Sequence, residues 1–120
     1  MLRLAPEAAN ADGEFAVAAR MWDADIVFVS DGDAVRLSMR GGRLDAVADV
    51  PAGSAAQIRV RGPADGWEKL LRREPPPFYQ DLFGAVAHHG FAIEGKIEDV
   101  GPYYPALRRL IELLRKVAGS

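Results

Sequence analysis

His88 and His89 are the only imidazoles in the chain, adjacent at the end of a helical pattern that carries Asp81, with Glu94, Glu98 and Asp99 further on. An imidazole with carboxylate company titrates nearest neutral pH, so acid–base or metal chemistry would be sought here first. Neighbouring helical residues point about 100° apart, which works against both rings meeting one metal ion. A solvated imidazole at the negative end of a helix accounts for the pair without any chemistry. Ser30, Ser38 and Ser54 fall in a turn, on the outward face of a strand and in a loop, and no spacing pairs any of them with a base. Asp31-Gly32-Asp33 opens like a calcium loop but lacks the ligand ladder and the closing bidentate Glu, so it reads as a tight turn. There is no cysteine, which excludes disulfides, thiolate chemistry and a cysteine-ligated zinc site. No catalytic residue, metal site or cofactor is therefore expected, and the chain does not read as an enzyme.

Charge narrows the partners. The formal net charge of -2 lacks the basic footprint that neutralising a phosphate backbone requires, so nucleic acid is not expected. Arg59, Arg61, Arg72 and Arg73 have the charge to attract an acidic head group, although outward-facing arginines ordinarily only solvate a surface. Glu7, Asp12 and Glu14 in the first 20 residues speak against a secretory signal, and no apolar run approaches a membrane span. A soluble, cytoplasmic protein is the expectation. With 120 residues and 49% hydrophobic content, residues 1–120 are expected to form one domain that buries roughly two thirds of its unfolded surface.

The elements that would position these residues follow from periodicity. Met1 to Ala11 is Ala-rich without a clear period and is expected to be a loose lead-in. Asp12 is placed to cap a helix from about Gly13 to Met21, with Trp22 anchoring it on a sheet. From Ala24 the period becomes two, and Asp31-Gly32-Asp33 turns the chain into a hairpin whose returning strand, Ala34 to Arg40, presents Val35, Leu37 and Met39 on one face. Gly41-Gly42 turns it again into Leu44 to Val50, where Leu44, Ala46, Ala48 and Val50 alternate with Asp45, Val47 and Asp49. A fourth strand, Ala56 to Arg61, leads through Gly62-Pro63 into a helix with Trp67, Leu70 and Leu71 as its stripe. Pro75-Pro76-Pro77 ends that helix as a stiff corner or, alternatively, a site for a proline-reading partner. Phe78, Tyr79, Leu82, Phe83 and Val86 then recur at helical spacing up to Gly90. If exposed, Phe78 and Tyr79 would instead make an apolar entrance or a membrane-touching tip. Phe91 to Glu94 reads as a fifth strand. Pro102 opens the longest helix, with Tyr103, Leu107, Leu110, Ile111, Leu114 and Val117 inward and Arg108, Arg109, Glu112, Arg115 and Lys116 opposite. The sum is an α+β domain: a five-stranded, largely antiparallel sheet covered on one face by helices.

This order of elements, the glycine turns of the meander, Ile93-Glu94-Gly95-Lys96 and the amphipathic helix after it resemble the sterol carrier protein 2-like (SCP2-like) fold from about Phe15 to Val117. Pro75-Pro76-Pro77-Phe78-Tyr79, His88-His89-Gly90-Phe91 and Tyr103-Tyr104-Pro105-Ala106-Leu107 also look like the variant of this domain found in front of bacterial α/β-hydrolases. Gly95-Lys96 departs from the Gly-Asp of that variant, so no polar role carries over to it. The resemblance implies non-catalytic binding of an elongated apolar ligand, such as a fatty acyl chain, sterol or similar lipid, between sheet and helices. Candidate walls are Trp67, Leu71, Phe78, Tyr79, Leu82, Phe83, Val86, Phe91, Tyr103, Tyr104, Leu107, Leu110, Ile111 and Leu114. By the same periodicity each is equally a core position, since a filled and a slightly expanded core differ by a few side-chain volumes. The alternative is therefore a structural, dimerising or accessory domain with a filled core, as a homodimer or beside an α/β-hydrolase.

Overall fold

The structure, a computed structural model, describes residues 5–118, with side chains to residue 116. Five strands form one sheet in the order β3-β2-β1-β4-β5. The meander β1 (Ala24–Ser30), β2 (Asp33–Arg40) and β3 (Arg43–Pro51) is antiparallel, whereas β4 (Ile58–Gly62) lies on the other side of β1 and runs parallel to it. β5 (Ala92–Gly95) closes that side antiparallel to β4. To reach β4 from β3, residues 52–57 must cross one face of the sheet. Val50, Ala52 and Ala56 pack there on Val27, Val29 and Ala34, in a small core of their own. Arg59 fastens the crossing by donating to the carbonyls of Ala52 and Ser54. With this loop on one face and helices on the other, β1 is buried on both sides, which is why Ile26, Val27, Phe28 and Val29 form an unbroken apolar run.

The helices cover the main core. They are α1 (Ala5–Asn10), α2 (Gly13–Ala18), α3 (Ala64–Leu70), α4 (Leu82–His88), α5 (Ile97–Val100) and α6 (Tyr104–Ala118), the last entered through a 3-10 turn at Gly101–Tyr103. Trp22 is buried and stacks on Tyr103, with ring centroids 5.1 Å apart, joining the start of the sheet to the start of α6. The side chain of Val117, the last position of the expected stripe, lies outside the described residues.

Four expectations need correction. Residues 5–10 are not a loose lead-in: Ala5 and Ala9, one turn apart, are buried, and the Asn10 side chain donates to the Leu44 carbonyl and accepts from the Leu44 amide, both at 2.9 Å. The Asn10 side chain thus stands in for a neighbouring strand on the open edge of β3. β3 does not alternate uniformly either. The register slips at Ser38/Met39, pairing Met39 with Leu44 but Ser38 with Ala46, so Asp45 is the extra residue of a bulge. Leu44 and Val47 consequently both meet the main core, while Val50 joins the opposite face. The first expected helix is shorter than Gly13 to Met21, since Met21 has a left-handed backbone (φ 66°). Lastly, Phe78 and Tyr79 precede α4 instead of lying on it, because Asp81 caps the helix by accepting from the Phe83 amide and Phe78 has φ 65°.

Candidate functional site

An apolar cavity of about 200 Å³ opens between the turn end of the β1–β2 hairpin and the helices. β1 contributes Phe28 and Ser30, β2 contributes Asp33, Ala34 and Val35, α3 and its C-cap contribute Trp67 and Leu71, and α6 contributes Leu114. Ser30 pairs directly with Asp33 across the hairpin at the end of the cavity nearest the turn, and the accessible wall of the cavity is apolar throughout.

Trp67 is held in three ways. Its Nε1–H donates to the Val29 carbonyl at 2.8 Å, its ring lies 4.9 Å from that of Phe28, and Phe91 meets it edge-on at 5.2 Å. A buried indole needs such a partner for its N–H. Phe91 in turn occupies a slot left by two glycines. A Cβ at Gly62 would stand 2.5 Å from the Phe91 ring, and one at Gly66 would stand 2.8 Å from it, so only hydrogen fits at both positions. The far wall depends on Arg115, which follows Leu114. Its guanidinium donates to the carbonyls of Leu70 (2.8 Å), Tyr79 (2.7 Å) and Gln80 (3.0 Å), tying α6 to the end of α3 and to the proline-rich strap. Burial lowers the pKa of this guanidinium from its ordinary value.

Of the fourteen wall residues expected from sequence, the structure brings Trp67, Leu71 and Leu114 to this cavity. Tyr79, Leu82, Phe91, Leu107, Leu110 and Ile111 are buried in the main core, with Val86, Tyr103 and Tyr104 half-buried against it. Phe78 and Phe83 are exposed by 53% and 58%. Phe28, Ser30, Asp33, Ala34 and Val35 complete the cavity without having been expected as walls. The signal for them was present: a two-residue Asp31-Gly32 turn forces Ser30 opposite Asp33, and alternation then puts Phe28 and Val35 on the same face as both.

The other candidate chemistry is occupied structurally. The Phe78 ring lies 4.0 Å from His88, and Tyr79 stacks on His89 at 3.8 Å, where His89 Nε2 also meets the Pro77 carbonyl at 3.1 Å. The two rings thus brace the strap, and neither lines the cavity. Among the described residues no three His, Cys, Asp or Glu side chains converge as metal ligands would. Arg59 and Arg61 approach Glu94 at 3.7 and 3.3 Å, and Arg72 pairs with Glu68 at 2.9 Å. Arg109, expected on the outer face of α6, reaches back to the capping carboxylate Asp12 at 2.8 Å. Hydrogen bonds from Arg109 and from the Phe15 amide hold the Asp12 pKa down to about 2. The Tyr104 hydroxyl donates to Asp81 at 2.7 Å, and burial together with that carboxylate pushes its pKa well above the usual phenolic range.

A mixed sheet in this order, with α6 laid across one face, is the fold of sterol carrier protein 2. The crystal structure of sterol carrier protein 2 superposes with a TM-score of 0.79 over 97% of this chain and 94% of that one, at 18% identity. The solution structure of a conserved hypothetical protein from Thermus thermophilus, described as a candidate sterol carrier protein, gives 0.75 over 98% and 86% at 20% identity. A ubiquinone synthesis protein, UbiJ-SCP2, gives 0.60 over 94% and 86% at 19% identity. No family model and no curated protein sequence matches the chain. Among the described residues no helix is long and apolar enough to cross a membrane.

Proposed function

We propose that this domain binds a slender apolar ligand, non-catalytically, in the cavity between the β1–β2 hairpin and the helices. The observation that carries this reading is an apolar void walled by Phe28, Val35, Trp67, Leu71 and Leu114 beside a core that large buried side chains such as Phe15, Trp22, Leu107 and Leu110 otherwise fill. Native interiors contain few such voids, because each forfeits dispersion contacts along its lining. The likeness to sterol carrier protein 2 and to a candidate sterol carrier protein supports a lipid as the ligand class. A volume of about 200 Å³ is smaller than the roughly 300–1,000 Å³ of sites that enclose drug-sized ligands. A single acyl-type chain therefore suits it better than a rigid sterol, seating part of its length and leaving the rest at the open side.

Trp67 reports on occupancy. Titrating delipidated protein with a neutral fluorescent alkyl probe should give saturable energy transfer from Trp67 at micromolar probe, and n-octanol should displace it. Transfer that rises linearly without saturation rejects the reading.

A second reading, a docking or dimerisation module, draws on the exposed Phe78 and Phe83. Sedimentation velocity across a hundredfold concentration range separates the two, since a stable dimer whose cavity takes up no probe favours the second.

A further inference from the structure

We propose that Phe78 and Phe83 form a docking face by which the domain sits reversibly on a phospholipid bilayer. The face lies outside the cavity lining, so docking goes beyond the ligand reading and does not depend on it. Phe83 stacks on the half-buried Tyr104 at 4.1 Å, and Phe78 leans on His88 at 4.0 Å. The Phe78 backbone lies against Gly84, where a Cβ would come within 2.8 Å of the Phe78 carbonyl oxygen. Phe78 therefore rides over the Gly84 and His88 row of α4, while Phe83 starts the neighbouring row with the exposed Ala87 one turn on. The two rings border one exposed strip of the helix.

Two local features here cost stability, yet both rings stay more than half exposed. A glycine inside a seven-residue helix weakens it. Phe78 holds a left-handed backbone, φ 65°, which is an outlier for a bulky side chain. Strain of this kind marks positions that serve something other than packing. The area decides what that is. A covered phenylalanine buries about 150–250 Å², so two half-exposed rings offer roughly 200 Å², far below the roughly 800 Å² per partner of a stable protein interface. A bilayer accepts such anchors singly, because apolar side chains enter the acyl boundary while polar neighbours stay among the head groups. A cation at the edge of the strip is free to meet a lipid phosphate: Arg108, one turn along α6 from Tyr104, is exposed and enters no ion pair among the described residues. The carboxylates nearest in sequence are tied or balanced. Asp81 accepts from the Tyr104 hydroxyl at 2.7 Å and the Phe83 amide at 3.3 Å, Glu112 is held by Arg109 at 3.5 Å, and Glu74 is exposed beside the exposed Arg73. Ile97, the most exposed large apolar residue, is instead followed by Glu98 and Asp99, which a lipid phosphate repels.

Flotation with vesicles of phosphatidylcholine containing one part in five phosphatidylglycerol tests the face. Binding should be reversible, about tenfold weaker in Phe83→Ser and in Phe78→Asn, and about fivefold weaker in Arg108→Gln. Asn tolerates a left-handed backbone, so Phe78→Asn should fold as the parent does. In the unaltered protein, a spin-labelled lipid in the same vesicles should broaden the amide signals of Phe78, Phe83 and Ala87 before those of Val17, Met21 or Ile97. No flotation, flotation that neither aromatic variant weakens, or broadening centred on Val17, Met21 or Ile97 overturns the docking face. Broadening centred on Val35, Leu71 and Leu114 would mean that lipid enters the cavity, which supports the ligand reading and overturns this one. A dimer that Phe83→Ser dissolves would assign the face to a second copy and likewise overturn it. Flotation that depends on both rings, in a protein whose cavity takes up no probe, upholds docking while rejecting the ligand reading.

Discussion

The cavity sets a limit on chain length that can be calculated. Its volume is about 200 Å³, and a group the size of a water molecule takes about 30 Å³ of liquid volume. Six or seven methylene-sized groups therefore fill it. Each buried methylene contributes about 0.8 kcal/mol, close to a fourfold gain in affinity. Along the series of n-alkanols from butanol to heptanol, three added carbons should therefore tighten binding about fiftyfold. Beyond about octanol the added carbons have only the open side to occupy, and the gain should drop below twofold per carbon. Dissociation constants from displacement of the fluorescent alkyl probe, read in this order, would display a steep limb and a break. A gain below 1.5-fold per carbon from the outset would mean that the chain is not entering an apolar void. A slope that stays near fourfold through tetradecanol would refute the fixed volume, because α6 would then have to lift away and release the Arg115 contacts to Leu70, Tyr79 and Gln80.

Three further predictions concern the frame around the cavity. Trp67→Phe leaves the Val29 carbonyl without the indole donor and should cost about 1–3 kcal/mol in chemical denaturation, with a loss of ligand affinity beyond that of a distant variant of equal stability. Gly62→Ala forces a methyl to 2.5 Å from Phe91 and should destabilise by about 1–3 kcal/mol, part of which Phe91→Leu in the same chain should restore; equal stability of Gly62→Ala and the parent would show that the slot is not tight. Asp12 has a folded-state pKa depressed to about 2, below the roughly 3.9 of an unfolded chain, so its contribution is fully present above pH 4 and is lost as pH falls through 2. Asp12→Asn, which retains a capping side chain but not the charge, should therefore show a shallower fall in stability between pH 4 and pH 2 than the parent; identical slopes would remove the Arg109 pair from the account.

The elements were legible where local chemistry and long-range packing agree. The Asp31-Gly32 turn, the alternation of Val35, Leu37 and Met39, the cap at Asp12 and the apolar stripe of α6 each specify their structure within a few residues, and the sheet with helices on one face follows from them. Features decided at a distance were not. The bulge at Asp45 exists because Leu44 and Val47 both gain by meeting the core, which strict alternation forbids. Residues 5–10 become a helix because Asn10 finds the edge of β3, 34 positions away. The expected walls were drawn from the helices between Trp67 and Leu114, where apolar periodicity is strongest. Most of those side chains fill the core instead, and the void lies where Phe28 and Val35 at the hairpin's end face α3 without enough volume between them. A shortfall of volume leaves no mark in a hydrophobic pattern.

The position of the ligand is the central claim, and a methyl-resolved NMR titration with n-octanol tests it most directly. Shifts concentrated at Val35, Leu71 and Leu114, saturating together with one dissociation constant, are the predicted result. Shifts centred instead on Leu82, Val86 and Leu107, or none that saturate, would contradict it.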